Sequence, residues 1–179
     1  MNIRRLVADY ENMMRLDGQS DLVEIAAYGN PPQQYIVTYH VTGIMWPFGT
    51  PAPQKIEYHQ LEIYLHADYP RRPPRLRWLT EIFHPNILPA SQNGGVCIGN
   101  WTPSESLADL VVRIGEMVQY KEYNVDDVLD ERAADWARRS RQYLPLDERE
   151  IDAERKVAAA QAAPPSIAIT SEELEAERP

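Results

Sequence analysis

The sequence predicts an α+β domain: an N-terminal helix, a four-stranded antiparallel meander, an irregular loop that carries the chemistry, and two C-terminal helices. Two periodicities and one gap predict it. Apolar residues recur at helical spacing at the start and again after about residue 104, and alternate with period two in between. From 80 to 103 neither period survives, and long irregular stretches inside compact domains are usually functional.

The first helix is expected over 2–16, where Ile3, Leu6, Val7, Tyr10, Met13 and Met14 repeat at helical spacing. Asn2 can cap its start and Asp17-Gly18 should stop it. Arg4, Arg5, Glu11 and Arg15 fall on the other face, which should sit in water.

Three alternating stretches follow. Val23, Ile25 and Ala27 share one face, then Tyr35, Val37, Tyr39 and Val41, then Leu61, Ile63 and Leu65. Gly29-Asn30-Pro31-Pro32 separates the first two, and a Pro- and Gly-rich segment, 43–54, precedes the third. A fourth short strand is expected around Leu76 and Trp78, after Tyr69-Pro70-Arg71-Arg72-Pro73-Pro74, whose prolines forbid a helix. Short connections in sequence order favour an antiparallel meander.

A second helix is expected at 104–119, capped by Ser104, with Glu105 in its first turn and Leu107, Leu110, Val111, Ile114, Met117 and Val118 on one face. A third should cover about 129–143, packing through Ala133, Ala134, Trp136 and Ala137 and ending at Pro145. The domain is therefore expected over 1–145. An Ala-, Glu- and Pro-rich extension, 146–179, should be partly helical and then disordered.

At 179 residues the chain can bury one core without staples. A formal charge of −9 argues against nucleic acid and anionic membrane as partners. Arg71, Arg72, Arg75 and Arg77 read as a solvated strand edge that discourages aggregation. A single cysteine excludes an internal disulfide and a thiolate-rich zinc site, and the four histidines lack short ligand spacing, so no metal or other cofactor is expected. With no apolar run of membrane-spanning length and no signal-peptide pattern, a cytoplasmic location is expected.

Two clusters stand out in the irregular stretch: His84-Pro85-Asn86 and Gly94-Gly95-Val96-Cys97. A lone cysteine is commonly a small buried hydrophobe. Here it sits in a loop behind two glycines, which would let the backbone approach a partner closely.

The run Tyr69-Pro70-Arg71-Arg72-Pro73-Pro74, then Ile82-Phe83-His84-Pro85-Asn86-Ile87, Gly95-Val96-Cys97-Ile98 and Trp101-Thr102-Pro103 resembles the ubiquitin-conjugating enzyme family. The order of elements over residues 3 to 143 resembles it too, which implies the UBC-like fold. The resemblance implies that Cys97 accepts the C-terminus of a ubiquitin-like protein from an activating enzyme as a thioester, then transfers it to an amine on a protein acceptor. A thiolate is a good nucleophile and a thioester stays reactive toward amines. The resemblance also makes Asn86 the donor to the oxyanion formed as the amine attacks; alternatively its amide bonds its own loop. His84, in the same motif, reads as a buttress of that loop. Asn124-Val125-Asp126-Asp127-Val128-Leu129 resembles the family's acidic loop. Asp127 there would orient the incoming lysine, or else merely solvate the turn before the third helix. Arg4 and Arg5 match the basic face that meets activating enzymes, and Trp101 and Pro103 match part of the ligase-docking surface.

Three departures mark this member. Asn86 and Cys97 are 11 positions apart, wider than the family's usual spacing, whereas Cys97 and Trp101 are only 4 apart. Arg71 stands where many members place an aromatic residue that meets RING-type ligases. Such departures, with an Ala- and Arg-rich composition, resemble bacterial relatives in ubiquitin-like conjugation systems, some tied to phage defence. Two other classes stay open: an inactive binding module of the same fold, and a cysteine hydrolase using Cys97 with His84 as its base.

Overall fold

The computed structural model describes residues 2–154. Most of the extension expected to be partly helical or disordered, from 155 onward, lies outside the described residues.

Helix α1 spans Ile3–Gln19, and the Asn2 side chain accepts the N–H groups of Arg4 and Arg5, as its capping chemistry predicts. It runs past Asp17-Gly18, the expected stop, and its inward face is rotated from the expected one. Leu6, Asp9, Met13 and Leu16 are buried, while Ile3, Val7 and Tyr10 remain exposed. The cause is Asp9. Its carboxylate receives the Arg5 guanidinium at 2.7 Å, the Tyr69 hydroxyl at 2.7 Å and the Leu107 N–H at 3.1 Å. A buried carboxylate persists only when satisfied in this way.

Strands β1 (Val23–Gly29), β2 (Pro32–Tyr39), β5 (His59–Tyr64) and β6 (Arg75–Trp78) form the expected antiparallel meander in that order. Ile25, Val37, Leu61 and Trp78 lie opposite one another in a row across all four strands, and all four are buried. A one-residue slip would turn that row to solvent, so burial fixes the register. The 43–54 segment holds an element the sequence did not announce. There β3 (Gly43–Met45) and β4 (Gln54–Ile56) pair as a two-stranded sheet, and the Ile44 carbonyl accepts the Phe83 N–H at 2.7 Å. That bond ties the hairpin to the irregular stretch.

Helix α2 spans Leu107–Val118 and starts later than expected. Ser106, not Ser104, caps it through the Asp109 N–H. All six apolar positions expected on one face are buried, and α1 and α2 together cover the core face of the sheet. Helix α3 is shorter than expected, Glu131–Arg139, capped by Asp130 and followed by a single 3-10 turn, Arg141–Tyr143. A second cluster joins Ile44, Phe83, Tyr120, Ala133 and Ala137, with Trp46 and Trp136 packed against it.

Packing continues past residue 145. Asp147 is buried and accepts the Thr42 N–H at 2.8 Å, and Ile151 enters the main core against α2. Burial would raise the Asp147 carboxyl, but hydrogen bonds from Arg149 and from the Thr42 and Arg149 N–H groups outweigh it. They hold the group well below the usual carboxylate range. No helix among the described residues is long and apolar enough to cross a membrane.

Candidate active site

The widened spacing between Asn86 and Cys97 does not separate them. Ile87 and Val96 form an antiparallel bridge, the Leu88 N–H donates to the Gly95 carbonyl at 2.8 Å, and the Cys97 N–H donates to the Asn86 carbonyl at 2.9 Å. The extra chain is taken up at the tip, residues 89–94. It folds through a 3-10 turn at Ala90–Gln92, fastened to the Glu81 carboxylate by the Ser91 N–H and hydroxyl. The Ile87–Val96 bridge and the two backbone hydrogen bonds set the Cys97 backbone beside that of Asn86 across the 11-position separation.

The glycines ahead of the cysteine serve a different end from the expected one. Gly94 has φ of +67° and is buried against β6, where its carbonyl accepts the Trp78 N–H at 2.8 Å. A Cβ there would lie 2.3 Å from the Trp78 carbonyl oxygen. The close approach is thus to the protein's own sheet. At Gly95 a Cβ would meet no backbone atom; its one tight neighbour would be the Asn93 side-chain oxygen at 3.2 Å.

Cys97 is a free, partly exposed thiol opening on a groove of about 410 Å³. Asn86, Asp127, Arg113, Lys121 and Tyr123 share that groove with it. The sheet-side loop contributes Asn86 and Cys97, α2 contributes Arg113, and the chain after α2 contributes the rest.

Asn86 is buried, and its side chain pins the opposite wall. Its Nδ2 donates to the carbonyls of Asn124 and Asp127, each at 2.9 Å, and its Oδ1 accepts the Asn124 N–H at 2.8 Å. Of the two readings open for Asn86, this geometry fits the loop-holding one. Both amide hydrogens are taken, and neither is free for an oxyanion in this arrangement. Asp127 is exposed at the groove, and its N–H is held by the Asn124 side chain at 3.1 Å.

His84 lies fully buried under the same loop. Its Nδ1 accepts the Asn86 N–H at 3.0 Å, and its ring packs edge-on against Tyr120. Burial pushes its pKa down to about 3, opposed in part by the Met117 backbone. With Nδ1 spent on the loop backbone and the ring buried, the geometry fits the buttress reading better than a base for the hydrolase reading.

Arg4 and Arg5 part company. Arg4 is exposed, but the Arg5 guanidinium turns inward to Asp9, the Tyr69 hydroxyl and the carbonyls of Pro103 and Glu105. The solvated face expected for both is corrected for Arg5, because the buried Asp9 carboxylate draws it in. Trp101 donates its indole N–H to the Pro70 carbonyl at 2.8 Å and packs near Tyr69, whereas Pro103 is exposed. Arg71 is exposed beside Asp68.

Arg113, Lys121 and Tyr123 of the groove escaped sequence reasoning, and Arg113 is the one tied to the cysteine loop. Arg113 of α2 grips the Glu105 carboxylate through Nε and one terminal nitrogen, and its other terminal nitrogen donates to the Ile98 carbonyl next to Cys97. Its position on α2, between apolar neighbours, was the available signal. Among the described residues no group of three or more His, Cys, Asp or Glu is placed to hold a metal ion.

The family model described as ubiquitin-conjugating enzyme matches residues 31–146. Among curated proteins, the chain is 33% identical over 81 residues to ubiquitin-conjugating enzyme E2 13 of Saccharomyces cerevisiae, covering 43% of this chain and 50% of that one. It is 35% identical over 89 residues to ubiquitin-conjugating enzyme E2 T of Bos taurus, covering 45% and 43%. The chain thus spans about half the length of these curated relatives. In structure it is similar to the E2 domain of a Toxoplasma gondii ubiquitin conjugating enzyme, with a TM-score of 0.53 and 22% identity, covering 76% of this chain and 88% of that one.

Proposed function

The chain belongs to the ubiquitin-conjugating enzyme family, and on that premise we propose that it carries a ubiquitin-like protein as a thioester on Cys97 and passes it to an amine. The single observation that supports this is a partly exposed thiol opening on a groove that it shares with Asn86 and Asp127.

In the first step the Cys97 thiolate attacks the thioester offered by an activating enzyme, and that enzyme's thiolate leaves. In the second, an acceptor amine attacks the carbonyl on Cys97, the C–N bond forms, and the Cys97 thiolate departs as the C–S bond breaks. Asn86 contributes by holding Asp127 opposite the sulfur. Asp127 receives the acceptor lysine as its ammonium and takes part in its loss of a proton, without which the amine cannot attack. Trp101 and Pro103 are the contacts for a ligase, and exposed Arg4 is the remaining charge of the activating-enzyme face. The loop spacings and composition support a place in a bacterial-type conjugation system, including one serving phage defence. The UBC-like domain is 1–145, and the first residues of the C-terminal extension fold with it, Asp147 against Thr42 and Ile151 against α2.

The test mixes the protein with ATP, an activating enzyme and a ubiquitin-like modifier. A reductant-sensitive adduct should form, and Cys97→Ser should turn it into a reductant-resistant oxyester or abolish it. Modifier binding that survives Cys97→Ala, with no transfer by the wild type, would instead make the chain a binding module.

A further inference from the structure

The chain on the N-terminal side of Cys97 is held by a bridge and two backbone hydrogen bonds. On its C-terminal side only Ile98, Gly99 and Asn100 lie between the cysteine and Trp101. That turn has no regular structure, and Gly99 stands at φ +63° in open space. Trp101 is anchored to Pro70 and the Ile98 side chain packs on the main core. Between those anchors the carbonyl of Ile98 is taken by Arg113.

Arg113 is itself fixed. Its Nε and one terminal nitrogen hold the Glu105 carboxylate at 2.8 to 3.0 Å, and both side chains are mostly buried. Glu105 in turn offers its carbonyl to Arg5, which is locked to buried Asp9. A forked guanidinium holds a carboxylate with one edge and a carbonyl with another in a fixed planar geometry, which an ammonium on a flexible stem does not preorganise. We propose that Arg113 is a positioning residue for acyl transfer at Cys97, holding the short turn after the cysteine in one register through the Ile98 carbonyl, with Glu105 fixing the guanidinium. The proposal rests on the Cys97 thioester reading and names a residue on which that reaction depends.

The probe is a Gly-Gly thioester of 2-mercaptoethanesulfonate. The Cys97 thiolate attacks its carbonyl and mercaptoethanesulfonate leaves. Free lysine then attacks the Gly-Gly thioester on Cys97, forming the amide, releasing the Cys97 thiolate and giving its proton to buffer. Both steps are followed by intact mass, beside alkylation of Cys97 with iodoacetamide, a small reagent with no demand on the groove. Arg113→Met should slow acyl transfer by about ten- to a hundredfold, the scale expected for a displaced reacting atom, while alkylation changes less than about twofold. Arg113→Lys should recover only part of the loss. Equal acyl-transfer rates in Arg113→Met and wild type would overturn the inference, as would a parallel fall in both reactions with unfolding still cooperative. If Arg113→Met does not fold, Glu105→Gln is read instead. It should slow acyl transfer at least threefold on the same reasoning, and no change there also overturns the inference. A wild-type protein that is alkylated but never takes the acyl group would overturn the Cys97 reading itself.

Discussion

Asn86 and Asn124 exchange a complete pair of hydrogen bonds: the Asn86 side-chain oxygen accepts the Asn124 N–H at 2.8 Å, and its nitrogen donates to the Asn124 carbonyl at 2.9 Å. The amide thus acts as a piece of backbone, pairing with a loop 38 positions away. It also joins the two walls of the groove in which Cys97 sits.

Asn86→Ala should therefore cost stability as well as activity. Leaving buried loop groups unpaired costs about 1 to 3 kcal/mol, visible as a lower urea midpoint. Thioester discharge to lysine should fall further than thioester formation, because the loop that loosens carries Asp127. Asn86→Asp keeps the acceptor but faces two carbonyls with a charge, so it should be less stable than Asn86→Ala. A variant with normal stability and lost discharge would assign the amide to the oxyanion instead.

Gly94→Ala should be among the most damaging single changes in the loop. The position combines a left-handed backbone with a Cβ that would sit 2.3 Å from the Trp78 carbonyl oxygen. Backbone strain and displacement of the loop from β6 together should cost about 2 to 4 kcal/mol, read by thermal or urea unfolding. Gly95→Ala, whose Cβ would press only on the Asn93 side-chain oxygen at 3.2 Å and meets no backbone, should cost less.

The two arginines of α1 should separate cleanly by experiment. Arg5→Ala leaves the Asp9 carboxylate buried without its cation, a loss of about 3 to 5 kcal/mol for pairs of that kind, trimmed here because Arg5 is partly exposed. Arg4→Ala should move stability by less than about 0.5 kcal/mol. Loss of adduct formation in Arg4→Ala at unchanged stability would place the activating enzyme on this helix.

Stability should fall as pH drops from about 6.5 to about 4. Burial holds His59 neutral down to about 4 and His84 down to about 3, with backbone groups opposing it in part. Above pH 6.5 both are neutral folded or unfolded and contribute no slope. Below it the unfolded chain takes up protons that the folded chain refuses. Each histidine then removes about 1.4 kcal/mol per pH unit at most. Asp147, held low, keeps its contribution through this window and loses it only at more acid pH. Urea midpoints measured at pH 7 and 4.5 check the slope; equal midpoints would mean the rings are solvated.

The elements and the ordering of the motifs were legible because they depend on local chemistry. Alternation marked β1, β2 and β5, and helical spacing marked the buried face of α2 in full. The cap of α2 shifted by two residues, to Ser106, since Thr102, Ser104 and Ser106 lie close together and each hydroxyl can start a helix. The β3–β4 hairpin was hidden by prolines in its turn, and its partner, Phe83, lies far along the chain.

By itself the sequence determined the alternation of helix and strand, the meander, and a lone cysteine in an irregular loop behind a His-Pro-Asn motif. Those follow from backbone period and residue type within a few positions. Tertiary structure alone decided that α1 turns Asp9 inward, that the lengthened loop still sets Cys97 against Asn86, and that Arg113 reaches Ile98. Each of these is a contact between residues that the chain brings together only on folding, where burying a polar group is tolerated only if a distant partner meets it. Spacing along the chain carries no trace of such partners.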